Sequence, residues 1–178
     1  MRYKLLLLFL FGALNLKAQS LVIDIHQISL INPDSKFAGV LIGTSSEECV
    51  RVLGKPDEIS DYYSEIDDDT MKLYRYGKSK LFFLKDKLSI WDVLDDRIWV
   101  GQVNGTIFKI GDKLAFGSAR PSEFRGLAIN HYASESRNMS FAFASTNEVK
   151  DGNSYLDSYF ELLFDSNGLL FSICKGDK

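Results

Sequence analysis

The sequence predicts an α+β fold: two tandem helix-plus-four-stranded antiparallel modules sharing one sheet of about eight strands. Three observations predict it. A helix led in by Gly43 and opened by the hydroxyls of Thr44 and Ser45 stops at Leu53-Gly54-Lys55-Pro56. Its approach recurs at 105–121, with Gly111 standing for Gly43, Asp112 for the cap and Pro121 closing. The stretches 80–92 (KLFFLKDKLSIWD) and 161–174 (ELLFDSNGLLFSIC) read as one hairpin written twice. A single helix over four strands buries only a thin core, so the two units are expected to share a sheet. The first module is assigned to 20–94 and the second to 95–178.

Residues 1–18 have the layout of a secretory signal peptide. Arg2 and Lys4 form the positive start, 5–14 the apolar run, and Ala18 the small residue before the cut. Ten apolar residues reach only about 15 Å as a helix, against roughly 30 Å of bilayer hydrocarbon, so a leader is expected and stable membrane insertion is not. Cleavage would remove three of the 21 basic residues and none of the 24 acidic ones, deepening the net charge from −3 to −6. Without a Lys/Arg cluster, nucleic acid is an unsuitable partner, since phosphate neutralisation supplies most of that affinity. A hydrophobic content of 46% with 13% aromatic residues is that of a globular chain. A chain of this length buries roughly 70% of its unfolded surface and needs no metal or disulfide staple.

After the leader, 21–31 (LVIDIHQISLI) is β-branched and of strand length, and Asn32-Pro33-Asp34-Ser35 is a turn cluster. The first helix follows, with overlapping capping boxes at Thr44/Glu47 and Ser45/Glu48. Residues 57–70 read as an acidic connection. Segments 71–76, 80–84 and 88–93, joined by two- or three-residue turns, make an antiparallel meander. The second module opens on strand 97–103 and the tight turn Asn104-Gly105. A shorter helix runs from Asp112 to about Gly117, followed by an irregular stretch, 118–137. Residues 138–144 alternate as a strand, 146–154 read as a polar loop, and 157–164 and 169–174 are the last two strands.

The string IGTSSEECVRVLGKPDEI, with LYRYGKSKLFFLKDKLSIWDV after it, resembles the β-lactamase-inhibitor-protein-like (BLIP-like) modules. These are shared by secreted inhibitors and by small outer-membrane assembly proteins of the SmpA/OmlA kind. Leu53-Gly54-Lys55-Pro56, Tyr76-Gly77 and the hairpin 81–93 carry the resemblance; the second unit matches less well, lacking Leu-Gly-x-Pro. It implies an exported protein of a Gram-negative bacterium, periplasmic or secreted, with a non-enzymatic protein-binding role. The Cys that anchors lipidated members at the cleavage junction is missing here.

Chemistry is sparse. The two histidines, His26 and His131, lie far apart in sequence, and no spacing points to zinc. Asp67-Asp68-Asp69 lacks the calcium-loop spacing, and Phe116-Gly117-Ser118-Ala119 lacks a nucleophile-elbow frame. No catalytic residue, cofactor or metal is therefore expected. Cys49 and Cys174 are a candidate disulfide, worth about 4–5 kcal/mol in the chain-entropy account, or two separate buried thiols. Aromatic residues remain. If Leu88 and Ile90 face the helix, Trp91 faces the other side of the sheet, and Trp99 does likewise between Ile98 and Val100. Trp91 and Trp99, with Tyr62 and Tyr63 in the acidic stretch, are the candidate anchors for a protein partner. The expected function is inhibition or neutralisation of a secreted enzyme or toxin. The alternatives are an envelope-assembly accessory and, from another class, a small-ligand binder or hydrolase using a concave sheet face.

Overall fold

The computed structural model describes residues 22–65, 67–116, 120–132 and 141–177. The expected leader, 1–18, lies outside them, as does the start, 138–140, of the expected strand 138–144. The chain enters through β1 (Ile23–Asp24) and a 3-10 turn at Ile25–Gln27, which Asp24 caps by accepting from the His26 amide at 3.0 Å. That turn divides the expected strand 21–31, whose remainder is β2 (Ser29–Asn32), turned into β3 (Ser35–Val40).

Helix α1 (Ser46–Leu53) forms where its caps and apolar spacing require it. Ser45 Oγ accepts from the Glu48 amide at 3.4 Å, and Cys49 and Val52 turn one buried stripe to the core. Glu48 does not reach back to complete the capping box. Its carboxylate pairs with Arg51 one turn on, which holds it below the usual carboxylate range. Gly54, at φ +90°, ends the helix in the left-handed region.

The stretch 57–70 is not a connection. It contains β4 (Glu58–Ser64), which pairs with β5 (Asp69–Tyr76). Acidic residues are tolerated in this strand because β5 answers them with cations: Asp61 faces Lys72 and Glu58 faces Arg75. The meander continues through β6 (Ser79–Leu84) and β7 (Lys87–Val93), as the turn spacing predicts. Short strands β8 (Trp99–Gly101) and β9 (Ile107–Phe108) follow, then the hairpin of β10 (Glu123–Phe124) and β11 (Leu127–Ala128), then β12 (Asn130–His131). The chain closes with β13 (Phe143–Asp151), β14 (Ser154–Phe164) and β15 (Leu170–Asp177). β13 occupies most of the expected polar loop 146–154.

The fold class is therefore corrected. The protein is mostly β, with one α-helix among the described residues, and two helix-plus-four-stranded modules are not what it forms. A mixed nine-stranded sheet runs β1-β13-β14-β15-β7-β6-β5-β4, with β12 also on β13, and a four-stranded sheet runs β3-β2-β8-β9. Leu30, Val40, Val100 and Phe108 of the small sheet share one core with Leu81, Trp91, Phe160 and Ile173 of the large one. The second helix is absent because the chain after Gly111 stays extended. Lys113 bridges to Leu169, and the Leu114 amide donates to the Gly168 carbonyl at 2.8 Å. Gly117 stands only five residues after Asp112, too close to give a helix more than its costly nucleus. The β10–β11 hairpin covers this part of the core instead, with Phe124 edge-on to Phe164 at 5.1 Å.

What repeats is the hydrogen bonding. The Gly43 amide donates to the Leu88 carbonyl at 2.8 Å, and the Leu88 amide donates to the Thr44 carbonyl at 2.9 Å. The Gly111 amide donates to the Leu170 carbonyl at 2.8 Å, and the Leu170 amide to the Asp112 carbonyl at 2.8 Å. On either side of the β7–β15 junction two antiparallel strands follow, β6 and β5 on one side and β14 and β13 on the other. Both glycines hold positive φ, +82° and +92°, with nothing within 4 Å of an added Cβ. Gly43→Ala and Gly111→Ala are thus expected to cost the same backbone term, about 1–2 kcal/mol each, measured by urea denaturation. Costs that differ by more than twofold would break the equivalence.

One bulge decides which side chains enter the core. Phe82 pairs with Ile90, but the next residue, Phe83, pairs with Leu88, so Ser89 is an extra residue in β7. Leu88, Trp91 and Val93 face the core; Ile90 is turned to the opposite face.

Candidate functional site

The four aromatic candidates separate by position. Trp91 is only 2% exposed and lies edge-on to Phe160 at 6.1 Å, so it cannot anchor a partner from the surface. Strict alternation placed it outward, and the extra Ser89 reverses that. Trp99 does face away from the core, between the buried Ile98 and Val100. It is half-buried beside its cross-strand neighbour Ile31, with Lys109 Nζ 3.7 Å from its ring centroid.

Tyr62 and Tyr63 stand on β4, at the edge of the large sheet. Because they are consecutive in a strand, they project from opposite faces. Tyr62 meets Phe82 edge-on at 5.0 Å, and the Tyr63 hydroxyl donates to Asp68, a bond that holds the phenol above its usual titration range. Tyr62, Tyr63, Ser64, Glu65, Phe82 and Ile90 line an open hollow of about 520 Å³. Phe82 and Ile90 escaped the sequence reading. Phe82 was readable by alternation between Leu81 and Phe83, both buried; Ile90 was not, because the bulge alone sends it outward.

Cys49 and Cys174 are both free thiols. Cys49 sits in the core under α1, whereas Cys174 stands opposite Asp92 and Glu161 on the far face of the large sheet. The sheet itself separates them, which rules out the candidate disulfide. Burial pushes each thiol up to about 12, helped by Glu48 and Asp86 at Cys49 and by Glu161 and Asp92 at Cys174. Neither has nucleophile character at neutral pH. An aromatic disulfide reagent at pH 8 should label two thiols in urea and neither in the native state within minutes; an unlabelled denatured chain would restore the bridge.

His26 is exposed, with Nε2 3.0 Å from Asp151 Oδ1 at one end of β13. His131 pairs opposite Phe143 at the other end, separated by about 26 Å of strand. They form no joint site, and among the described residues no group of three or more His, Cys, Asp or Glu could hold a metal ion. Asp67 and Asp68 belong to the β4–β5 turn, where the Ser64 hydroxyl donates to Asp67 at 2.6 Å. A cleft of about 460 Å³ with mixed polar and apolar walls opens beside His26, Gln27, Ser29, Leu41, Gln102 and Val103.

The fold is a mostly-β protein built of a nine-stranded sheet, a four-stranded sheet and the β10–β11 hairpin, with Tyr62 and Tyr63 exposed in succession at the β4 edge and Phe37, Phe116, Tyr132 and Tyr155 exposed singly elsewhere. Among the described residues no helix is long and apolar enough to cross a membrane. Comparison of the chain with family models, with curated proteins and with solved structures finds no match.

Proposed function

We propose that the protein is an exported, non-catalytic protein-binding protein that inhibits or neutralises a secreted enzyme or toxin. The observation that carries the reading is the aromatic end of the large sheet. Ile59, Tyr62 and Tyr63 are each about half exposed there, and the two tyrosines border a hollow also lined by Phe82 and Ile90. Scattered exposed apolar residues are ordinary, but three gathered on one edge strand suit a contact surface, and Tyr is among the residues that dominate interface energetics. The resemblance of 42–93 to BLIP-like modules supports the same reading from sequence. Its elements follow in order along the chain: Gly43, α1, Leu53-Gly54-Lys55-Pro56, Tyr76-Gly77 and the β6–β7 hairpin.

The test is affinity capture of envelope and culture extract on the immobilised protein, followed by titration of the captured component's activity. Tyr62→Ala with Tyr63→Ala should weaken binding by about 2 kcal/mol or more, roughly 30-fold. The double variant should lose only about 1 kcal/mol of stability, mostly the Tyr62–Phe82 ring contact. Full-strength capture by the double variant would remove this patch as the contact. A captured enzyme whose activity is unchanged on titration would remove the inhibitor role.

A further inference from the structure

The two ends of the nine-stranded sheet are finished differently. At one end β13 is closed by β1 in parallel and by β12 in antiparallel pairing. At the other, β4 has β5 on one side and, among the described residues, no strand on its other side. Exposed edges are usually blunted by Lys, Pro, a bulge or brevity, because their unpaired N–H and C=O groups template another strand. β4 carries the carboxylates Glu58 and Asp61 but no Lys, Pro or bulge, and it is not short. It is seven residues long, EISDYYS, and its pairs with β5 run from Glu58↔Arg75 to Ser64↔Asp69 without a register shift. Its charges are engaged within the sheet, Glu58 with Arg75 at 3.4 Å and Asp61 with Lys72. Between and beyond the exposed carboxylates Glu58 and Asp61 it presents apolar surface: Ile59 and Tyr63 on one face, Tyr62 on the other, 54%, 57% and 47% exposed.

We infer that β4 is a docking edge that takes an extended segment of another protein as an added antiparallel strand, with Lys or Arg at that segment's N-terminal end. This rests on the protein-binding reading and specifies its mode. Strand addition draws affinity from main-chain hydrogen bonds and specificity from alternate side chains, and the aromatic residues of β4 would hold the added strand from both faces. Charge selects the occupant. Asp67 and Asp68 in the β4–β5 turn and Asp69 at the start of β5 accept from the Ser64 hydroxyl, the Tyr63 hydroxyl and the Thr70 amide, neutral donors that leave their charge uncompensated. This turn follows the C-terminal end of β4, where the N-terminus of an antiparallel strand arrives. A second copy fits less well: two antiparallel β4 strands would set each acidic turn beside the other's Asp57 and Glu58, which Arg97 and Arg75 already pair, so the turn would meet no uncompensated cation there.

The intact protein is titrated with a synthetic peptide in which two lysines precede an alternating Val-Thr-Val-Tyr-Val run, and amide hydrogen exchange is followed. Exchange at residues 59–64 should slow at least tenfold. Glutamates in place of the lysines should weaken binding at least tenfold, and N-methylation of alternate peptide amides should abolish it. No protection of β4 by the lysine peptide, or equal protection by the N-methylated one, overturns the inference. Dimerisation that Tyr63→Lys abolishes overturns it in favour of a second copy. A natural partner captured equally by wild type and by Tyr63→Lys leaves the protein-binding reading standing while the edge mode falls.

Discussion

Trp91→Ala should lower the stability of the fold by about 3–5 kcal/mol, the cost of truncating a large aromatic side chain in a packed core. Its ring is 2% exposed, meets Phe160 edge-on, and stands opposite Leu81, itself fully buried. The cavity would open between the two sheets, where neighbours on both sides are fixed in strands and cannot collapse into it. Trp99→Ala is the control. It removes a half-buried ring and its contact with Lys109, worth roughly 1–2 kcal/mol at a partly exposed site. Urea denaturation of both variants measures the contrast. A Trp91 variant as stable as wild type would mean that the bulge at Ser89 is misplaced and the outward assignment is right after all.

Lys175→Met should cost about 2–3 kcal/mol, far more than loss of a surface lysine. Lys175 is 5% exposed, and its ammonium donates to the Ser89 carbonyl at 3.0 Å and to Asp177 at 2.6 Å. Ser89 is the bulge residue, so the lysine satisfies a carbonyl of the very residue that turns Trp91 inward. Methionine fills a similar volume but leaves that carbonyl without this donor and Asp177 without its cation. Asp177→Asn, which keeps an acceptor, should cost about 1 kcal/mol. Equal costs for the two variants in urea would show that the charge pair matters and the carbonyl contact does not.

The local elements were largely legible. Ser45 and Gly54 bracket α1 as helix-capping chemistry requires, and the turns at Gly77-Lys78 and 85–87 set the meander of β5, β6 and β7. The equivalence of Gly43 with Gly111 was legible too, because both need positive φ to place an amide on a hairpin strand. Less legible was β4. An acidic, tyrosine-containing stretch reads as loop until Lys72 and Arg75, eleven and seventeen residues further on than their partners, are seen to neutralise it.

The candidate site was half legible. Tyr62 and Tyr63 were named from composition and stand exposed, while Trp91 was assigned to the wrong face and Phe82 and Ile90 were missed. Side-chain alternation carries a facing assignment along a strand only while the register is unbroken; one extra residue inverts everything beyond it. The Cys49–Cys174 pairing failed for a related reason. Distance along the chain says nothing about which side of a sheet each thiol occupies.

By itself the sequence determined the turns of the β5–β6–β7 meander, where helix α1 starts and stops, and which short motifs recur, because these depend on neighbours a few residues apart. Only the tertiary structure decided that the second approach stays extended, that Ser89 bulges, and that β4 remains at an open edge. Each of those outcomes depends on hydrogen bonds between segments tens of residues apart, which no local pattern encodes.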